Sequence, residues 1–142
     1  MGTVSTEITL RNESDVAFAR RGHLKTEDIR SVTVTAVVDT GAYSLMLDEQ
    51  TMQKLGLEVT GEQKIVVASG ERLVCMVTDA VEINWKNRQS VLRAVVVPGL
   101  PRVLMGVLPL EHMDLVIHPK KQELVGAHGD EMEFMALQGV SA

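Results

Sequence analysis

The chain has 142 residues, of which 45% are hydrophobic and 3% aromatic, and its formal net charge is −5 at pH 7. This length predicts one domain with an aliphatic core, and the acidic balance without a basic stripe disfavours nucleic-acid binding. No apolar run has transmembrane length, and the first 20 residues lack a signal-peptide core. With Cys75 as the single cysteine, these features favour a cytoplasmic protein without an internal disulfide or a membrane partner.

The N-terminal part of the chain predicts two strands separated by a loop. Residues 4–10 alternate between apolar and polar side chains, which is typical of a half-buried strand. The charged stretch 11–28 predicts a polar turn at 11–15 and a loop at 20–28, around an ambiguous apolar segment at 16–19. Residues 29–38 alternate again, so we expect a second strand that ends at Asp39.

The middle of the chain predicts a short strand over 42–47, a short helix and two hairpins. Asp48 and Gly56 are suitable caps for a helix over residues 49–55. Residues 63–78 form one hairpin pattern around a small tip at 68–72, and residues 80–97 form another around a turn at 86–88.

The C-terminal part predicts a strand that runs into Gly106, a short helix over 109–113, and strands at 115–117 and 123–125. The remaining residues, 126–142, are small and polar apart from an apolar stretch at 132–137, so we expect a weakly ordered tail. Many short strands at close spacing, with one or two short helices, predict an all-β barrel or closed sandwich.

The stretch VTAVVDTGAYS at residues 34–44 places a carboxylate, Asp39, at the end of an apolar strand. An ionisable group in this position is costly unless it is used or satisfied. Asp-Thr-Gly is also a good turn, because Asp and Thr cap backbone N–H groups and Gly adopts positive φ. The tripeptide alone therefore leaves both a turn and a catalytic site open.

Three features follow one another in a definite order. They are the strand ending in Val38-Asp39-Thr40-Gly41-Ala42, the glycine-tipped hairpin, and the segment Leu104-Met105-Gly106 before a short helix. Over residues 29–125 this order resembles the retroviral-type (retropepsin-like) aspartic proteases, and specifically their small bacterial single-domain relatives. The resemblance implies a closed acid-protease barrel over residues 1–125 that assembles as a two-fold homodimer. It leaves residues 126–142 as a tail that is disordered or contacts the dimer partner.

The resemblance also implies roles for individual residues. Asp39 would be the catalytic aspartate, and Thr40 would brace the catalytic pair across the two-fold axis with support from Gly41. Substrate would lie against Ala42, under a flap formed by the hairpin 67–73, while Gly106 would pass beneath the catalytic turn. The flap and cleft residues implied in this way are Ala42, Ala68, Ser69, Gly70 and Gly106.

This chain departs from the family pattern in two places. Retroviral members often have an arginine after the glycine that corresponds to Gly106, whereas here Val107, Leu108 and Pro109 follow. Any support that such an arginine gives the catalytic pair would have to come from elsewhere or be absent. The segment 11–28 is also longer than the retroviral enzymes need.

The expected function is that of an aspartic endopeptidase acting on a protein or peptide substrate. The chain contains one Asp-Thr-Gly, so a pair of catalytic aspartates requires a second copy of the chain, related by a two-fold axis. We expect no metal or other cofactor, because the four histidines lack paired metal-ligand spacing. The alternative is a weakly active or inactive dimer of the same fold that binds peptides or serves as an interaction module, since fold alone does not establish function.

Overall fold

The computed structural model of the protein describes residues 3–134. Within them the chain is mostly β, with nine strands and three short α-helices. The strands are β1 (Ser5–Asn12), β2 (Ser31–Val38), β3 (Leu45–Leu47), β4 (Val59–Val66), β5 (Arg72–Trp85), β6 (Arg88–Val96), β7 (Leu104–Met105), β8 (Leu115–His118) and β9 (Glu123–Gly126). The helices are α1 (Glu13–Arg20), α2 (Glu49–Leu55) and α3 (Val107–His112), and a short 3-10 helix lies at Thr26–Asp28.

Seven of the strands form one sheet in the order β1-β2-β7-β3-β6-β5-β4. Strand β1 also pairs with β5, so six of these strands are paired in a ring, and β4 lies outside it. Strands β8 and β9 form a separate antiparallel pair. The prediction of a mostly-β chain with few short helices is confirmed, although there is one helix more than the predicted one or two.

The predicted loop at 20–28 is present apart from Arg20, which ends α1, and the short 3-10 helix, but the prediction of a polar turn at 11–15 was wrong. Strand β1 continues to Asn12, and α1 begins directly after it. The Asn12 side chain caps this helix by accepting a hydrogen bond from the Asp15 N–H (3.1 Å), and it donates to the carbonyl of Leu55 (2.8 Å). Asp15 in turn accepts two hydrogen bonds from the Arg30 guanidinium (2.8 and 2.9 Å), which hold the pKa of Asp15 below its ordinary value. These partners are distant in sequence, so the local pattern did not indicate them.

The two predicted hairpins share one long strand. Residues 72–85 run continuously as β5, with an irregularity in its pairing with β6 between Val77 and Ala80. Helix α2 is correct as predicted, because the Asp48 side chain accepts the Thr51 N–H (3.2 Å) and Gly56 ends the helix with φ of 62°. Among the described residues, no helix is both long and apolar enough to span a membrane.

Strand β7 passes directly behind the turn that carries Asp39. It lies between β2, to which it runs parallel, and β3, to which it is antiparallel. The Gly106 N–H then donates to the carbonyl of Ser44 (3.0 Å). A Cβ on Gly106 would lie 2.7 Å from that carbonyl oxygen and closer still to the carbonyl oxygen of Ala42. Only glycine allows the two segments to approach at this distance.

The segment after β9 is attached to the end of α3. Asp114 accepts hydrogen bonds from the Ala127 N–H at its carbonyl (2.8 Å), and from the Glu133 N–H (3.1 Å) and His128 Nδ1 (2.7 Å) at its carboxylate. The domain boundary at residue 125 stays a prediction, but residues 127–133 are held against the body of the domain. Part of the predicted apolar stretch 132–137, including Met135 and Leu137, lies outside the described residues.

Replacing His128 with Gln is expected to cost more stability at mildly acidic pH than at alkaline pH. The hydrogen bond to Asp114 raises the pKa of His128, so its contribution is complete below the ordinary value of 6.5 and is lost as the pH rises through the folded-state pKa. The same hydrogen bond lowers the pKa of Asp114, so the contribution of this carboxylate to stability is lost only in strong acid. Urea unfolding of wild type and His128→Gln at pH 5.5 and pH 8 measures the difference. Equal losses at both pH values would contradict the ion pair, and His23→Gln is the control in an exposed loop.

Replacing Gly106 with Ala is expected to lower the free energy of unfolding by about 2 kcal/mol or more, because the new methyl group would overlap two backbone carbonyls that are held by hydrogen bonds from Gly106 and Val107. Urea unfolding measures the loss. Gly61→Ala is the matched control, since a Cβ there meets nothing within 4 Å and the backbone is not left-handed. Equal stability of the two variants would show that the close crossing does not constrain the turn.

Candidate active site

Asp39 lies at the end of β2, half-buried, with its carboxylate oriented by its own turn. Its Oδ1 accepts a hydrogen bond from the Gly41 N–H (2.8 Å), and its carbonyl accepts one from the Ala42 N–H (3.1 Å). Its own N–H donates to the carbonyl of Met105 in the adjacent β7 (3.0 Å). These bonds fix both the backbone of the turn and the orientation of the carboxylate.

The first turn of α3 supports the same loop from behind. The Val107 N–H donates to the carbonyl of Ala42 (2.9 Å), and the Leu108 N–H donates to the carbonyl of Tyr43 (2.8 Å). The first N–H groups of any helix have no partner within the helix, so they are available for this purpose. The residues after Gly106 therefore hold the loop through their backbone.

A cavity of about 450 Å³ opens beside Asp39. Among residues 3–134, Asp39 is the only one with an ionisable side chain in its lining, and the other lining residues are apolar or glycine. Three of the lining residues, Ala42, Met46 and Val97, belong to a buried cluster that also contains Cys75 and Val95. The lining residues other than Asp39 are Gly41, Ala42, Met46, Ile65, Val66, Val67, Ala68, Val97, Leu100 and Leu104.

The tip of the β4–β5 hairpin lies at the edge of this cavity. It is closed by hydrogen bonds from the Gly70 N–H to the carbonyl of Val67 (2.8 Å) and from the Val67 N–H to the carbonyl of Glu71 (2.9 Å). Gly70 has φ of 86°, a conformation that glycine adopts without strain. Ala68 lines the cavity, whereas Ser69 and Gly70 are exposed and are not part of its lining.

The structure thus places four of the predicted site residues, Asp39, Gly41, Ala42 and Ala68, around one cavity. Gly106 is buried behind the turn that carries Asp39, while Thr40 is exposed next to Asp39. Nothing in this geometry tests the roles themselves, which stay predictions.

A single chain supplies one carboxylate at this position. A second cavity, of about 430 Å³, borders Asp39 on its other side and is lined by residues from the N-terminus, β2 and the β8–β9 hairpin. Within residues 3–134, neither cavity lining contains another Asp or Glu. The described residues also include no cluster of three or more His, Cys, Asp or Glu that could hold a metal ion.

Cys75 does not add a nucleophile to the site. It is 2% exposed, and burial raises the pKa of its thiol, so the reactive thiolate is disfavoured. This position agrees with the prediction that Cys75 is a small core residue.

Sequence reasoning missed two features. The cavity wall includes Ile65, which alternates with Val67 of the predicted flap along one hairpin arm, so periodicity could have identified it. Arg88 was predicted only as part of a turn, but it is the first residue of β6 and is buried at 3% exposure. Nothing in the local sequence distinguishes it from a solvated turn residue.

Comparison with known proteins agrees with this geometry. A family model described as Aspartyl protease matches residues 26–109, which is more than half of the chain. Among solved structures, the EIAV protease complexed with the inhibitor HBY-793 is similar, with a TM-score of 0.53 and 18% identity, over 78% of this chain and 86% of the viral one. No curated protein matches the chain. The chain therefore belongs to the aspartyl protease family, and its fold is the retropepsin-like fold of the retroviral members.

Proposed function

We propose that this protein is an aspartic endopeptidase whose active site is assembled from two copies of the chain, each contributing Asp39. The observation that carries the proposal is that Asp39 is held by its turn beside an apolar cavity to whose lining the described part of the chain contributes no second carboxylate. A two-fold axis close to Asp39 would supply the missing carboxylate, because an isologous dimer brings the same residue of each subunit to the axis.

The chemistry follows from the pair. Two carboxylates about 3 Å apart cannot both ionise, so the pair holds one proton. The ionised member takes a proton from a water molecule, which attacks the scissile carbonyl carbon. The protonated member donates to the carbonyl oxygen. The pair titrates as a unit, so its pH profile belongs to the dimer and not to one residue.

The neighbouring residues have roles that suit this reaction. The exposed Thr40 is available to the partner subunit, where it would brace the pair across the axis. Ala42 and Ala68 are small and both line the cavity, so an extended peptide would lie against them. The exposed Ser69 and Gly70 would close over that peptide and exclude water, with Gly70 absorbing the change in backbone angles.

The pairing of β1 with both β2 and β5 supports the proposal of a closed barrel as the framework of each subunit. The aliphatic cavity favours substrates with aliphatic side chains next to the scissile bond, since a charged side chain would lose its hydration there. We place the reaction in the cytoplasm, and propose neither a metal ion nor another cofactor for it.

Replacing Asp39 with Asn is expected to abolish peptide cleavage while leaving the fold and the dimer intact. The amide keeps the acceptor for the Gly41 N–H but carries no negative charge to activate water. The measurement is cleavage of a peptide library between pH 4 and pH 7.5 by wild type, Asp39→Asn and the control Asp130→Asn, an exposed aspartate outside the cavities beside Asp39. A pepstatin-like inhibitor should block wild type and Asp130→Asn. Undiminished cleavage by Asp39→Asn would contradict the assignment.

Mixing wild type with Asp39→Asn tests whether the site is shared. If equal amounts exchange subunits freely, the activity per wild-type chain should fall to about half, because heterodimers lack one catalytic carboxylate. Unchanged activity after verified exchange would mean that one chain suffices. A stable dimer that binds peptides but never cleaves them would instead support the role of a peptide-binding module.

A further inference from the structure

Arg88 is a buried cation that the proposed reaction does not use. Its guanidinium donates from Nη1 to the carbonyls of Met113 (2.7 Å) and Asp114 (2.7 Å), and from Nη2 to the carbonyl of Gly129 (2.5 Å). Among the described residues it forms no ion pair with a carboxylate, and its buried Nε has no hydrogen-bond partner. Burying a cation without a carboxylate costs free energy, so three convergent backbone carbonyls are the interactions that hold it there.

Two of those carbonyls lie at and just past the C-terminal end of α3, since Met113 is the C-cap of the helix and Asp114 follows it. This helix has only six residues and no side-chain cap at its N-terminus, so it is too short to be stable without tertiary support. The last carbonyls of a helix lack partners within the helix, and a cation near them is favourable. Arg88 provides both the hydrogen bonds and the positive charge at this end.

The opposite end of α3 holds the catalytic turn through the N–H groups of Val107 and Leu108. The helix is therefore a short rigid link with Arg88 at one end and the turn of Asp39 at the other. A shift of α3 along its axis would break the bonds to the carbonyls of Ala42 and Tyr43. A displacement of about 1 Å in a reacting group is enough to reduce a rate about 100-fold.

We infer that Arg88 is a positioning residue for Asp39, which it reaches through α3 and not through direct contact. It supports the catalytic turn from β6, in a chain that has Val107 where retroviral members often have arginine. The expected effect of Arg88 on catalysis rests on the proposed function. The link from Arg88 through α3 to the turn is measured separately, by hydrogen exchange.

The test compares Arg88→Met, which keeps the length of the side chain but removes every donor, with Arg93→Met, an exposed arginine on the same strand. Two quantities are measured well below the unfolding temperature: kcat and KM for a cleaved peptide, and hydrogen exchange at the amides of Val107 and Leu108. Amides of Ile8 and Leu10 in β1 serve as the internal reference.

In Arg88→Met we expect kcat to fall about tenfold or more with KM changed by less than about twofold, because the turn and not the cavity is displaced. Exchange at Val107 and Leu108 should accelerate while the reference amides keep their rates. Arg93→Met should match wild type in both quantities. Arg88→Lys keeps the charge and one donor group, so its kcat and exchange rates should lie between those of wild type and Arg88→Met. This variant also covers the case in which Arg88→Met does not fold.

Three results for Arg88→Met would overturn the inference. They are unchanged exchange at Val107 and Leu108, equally accelerated exchange at all four amides, and faster exchange at Val107 and Leu108 with an unchanged kcat. A wild-type protein that cleaves no peptide would refute the proposed function instead. In that case, faster exchange confined to Val107 and Leu108 in Arg88→Met would still establish the link through α3. Unchanged exchange at these two amides would refute the link in addition to the function.

Discussion

The structure depends on one close crossing, at which the backbone of β7 and Gly106 passes behind the turn that carries Asp39. Hydrogen bonds from the turn to Met105, and from Gly106, Val107 and Leu108 to the loop after the turn, all originate within a few residues of this crossing. They require the two segments to be closer than a side chain on residue 106 would permit. Gly106 therefore allows backbone hydrogen bonds to position the turn of Asp39, which a larger residue would prevent.

That arrangement explains why an apolar sequence can follow Gly106. A charged side chain at this place could orient the loop after Asp39 directly, but Val107 and Leu108 use their N–H groups, which the start of a helix leaves unpaired. Such support is only as rigid as the helix that presents the N–H groups. A helix of six residues needs an anchor at its far end, and the buried guanidinium of Arg88 is positioned to be that anchor.

The sequence predicted much of this architecture where neighbouring residues determine the structure. Helix α2 was predicted with its caps because Asp48 and Gly56 act on the residues next to them, and the turn of Asp39 was located because Asp-Thr-Gly forms its own hydrogen bonds. The helix α1 was missed because its capping residue, Asn12, is also held by Leu55, more than 40 positions away. Arg88 was missed for the same reason, since its partners come from α3 and from the segment after β9.

The attachment of residues 127–133 extends the same connection towards the C-terminus. The carbonyl of Asp114 accepts from both Arg88 and Ala127, so the residue just after α3 links Arg88 to the start of the C-terminal segment. Its carboxylate binds His128 and the Glu133 N–H as well, and the hydrogen bond with His128 raises the pKa of that imidazole. A displacement of the C-terminal segment would therefore move Asp114 and the end of α3 before it moved Asp39. Since the proposed second copy must place its own Asp39 within hydrogen-bonding distance, the two turns would tolerate little movement of either α3.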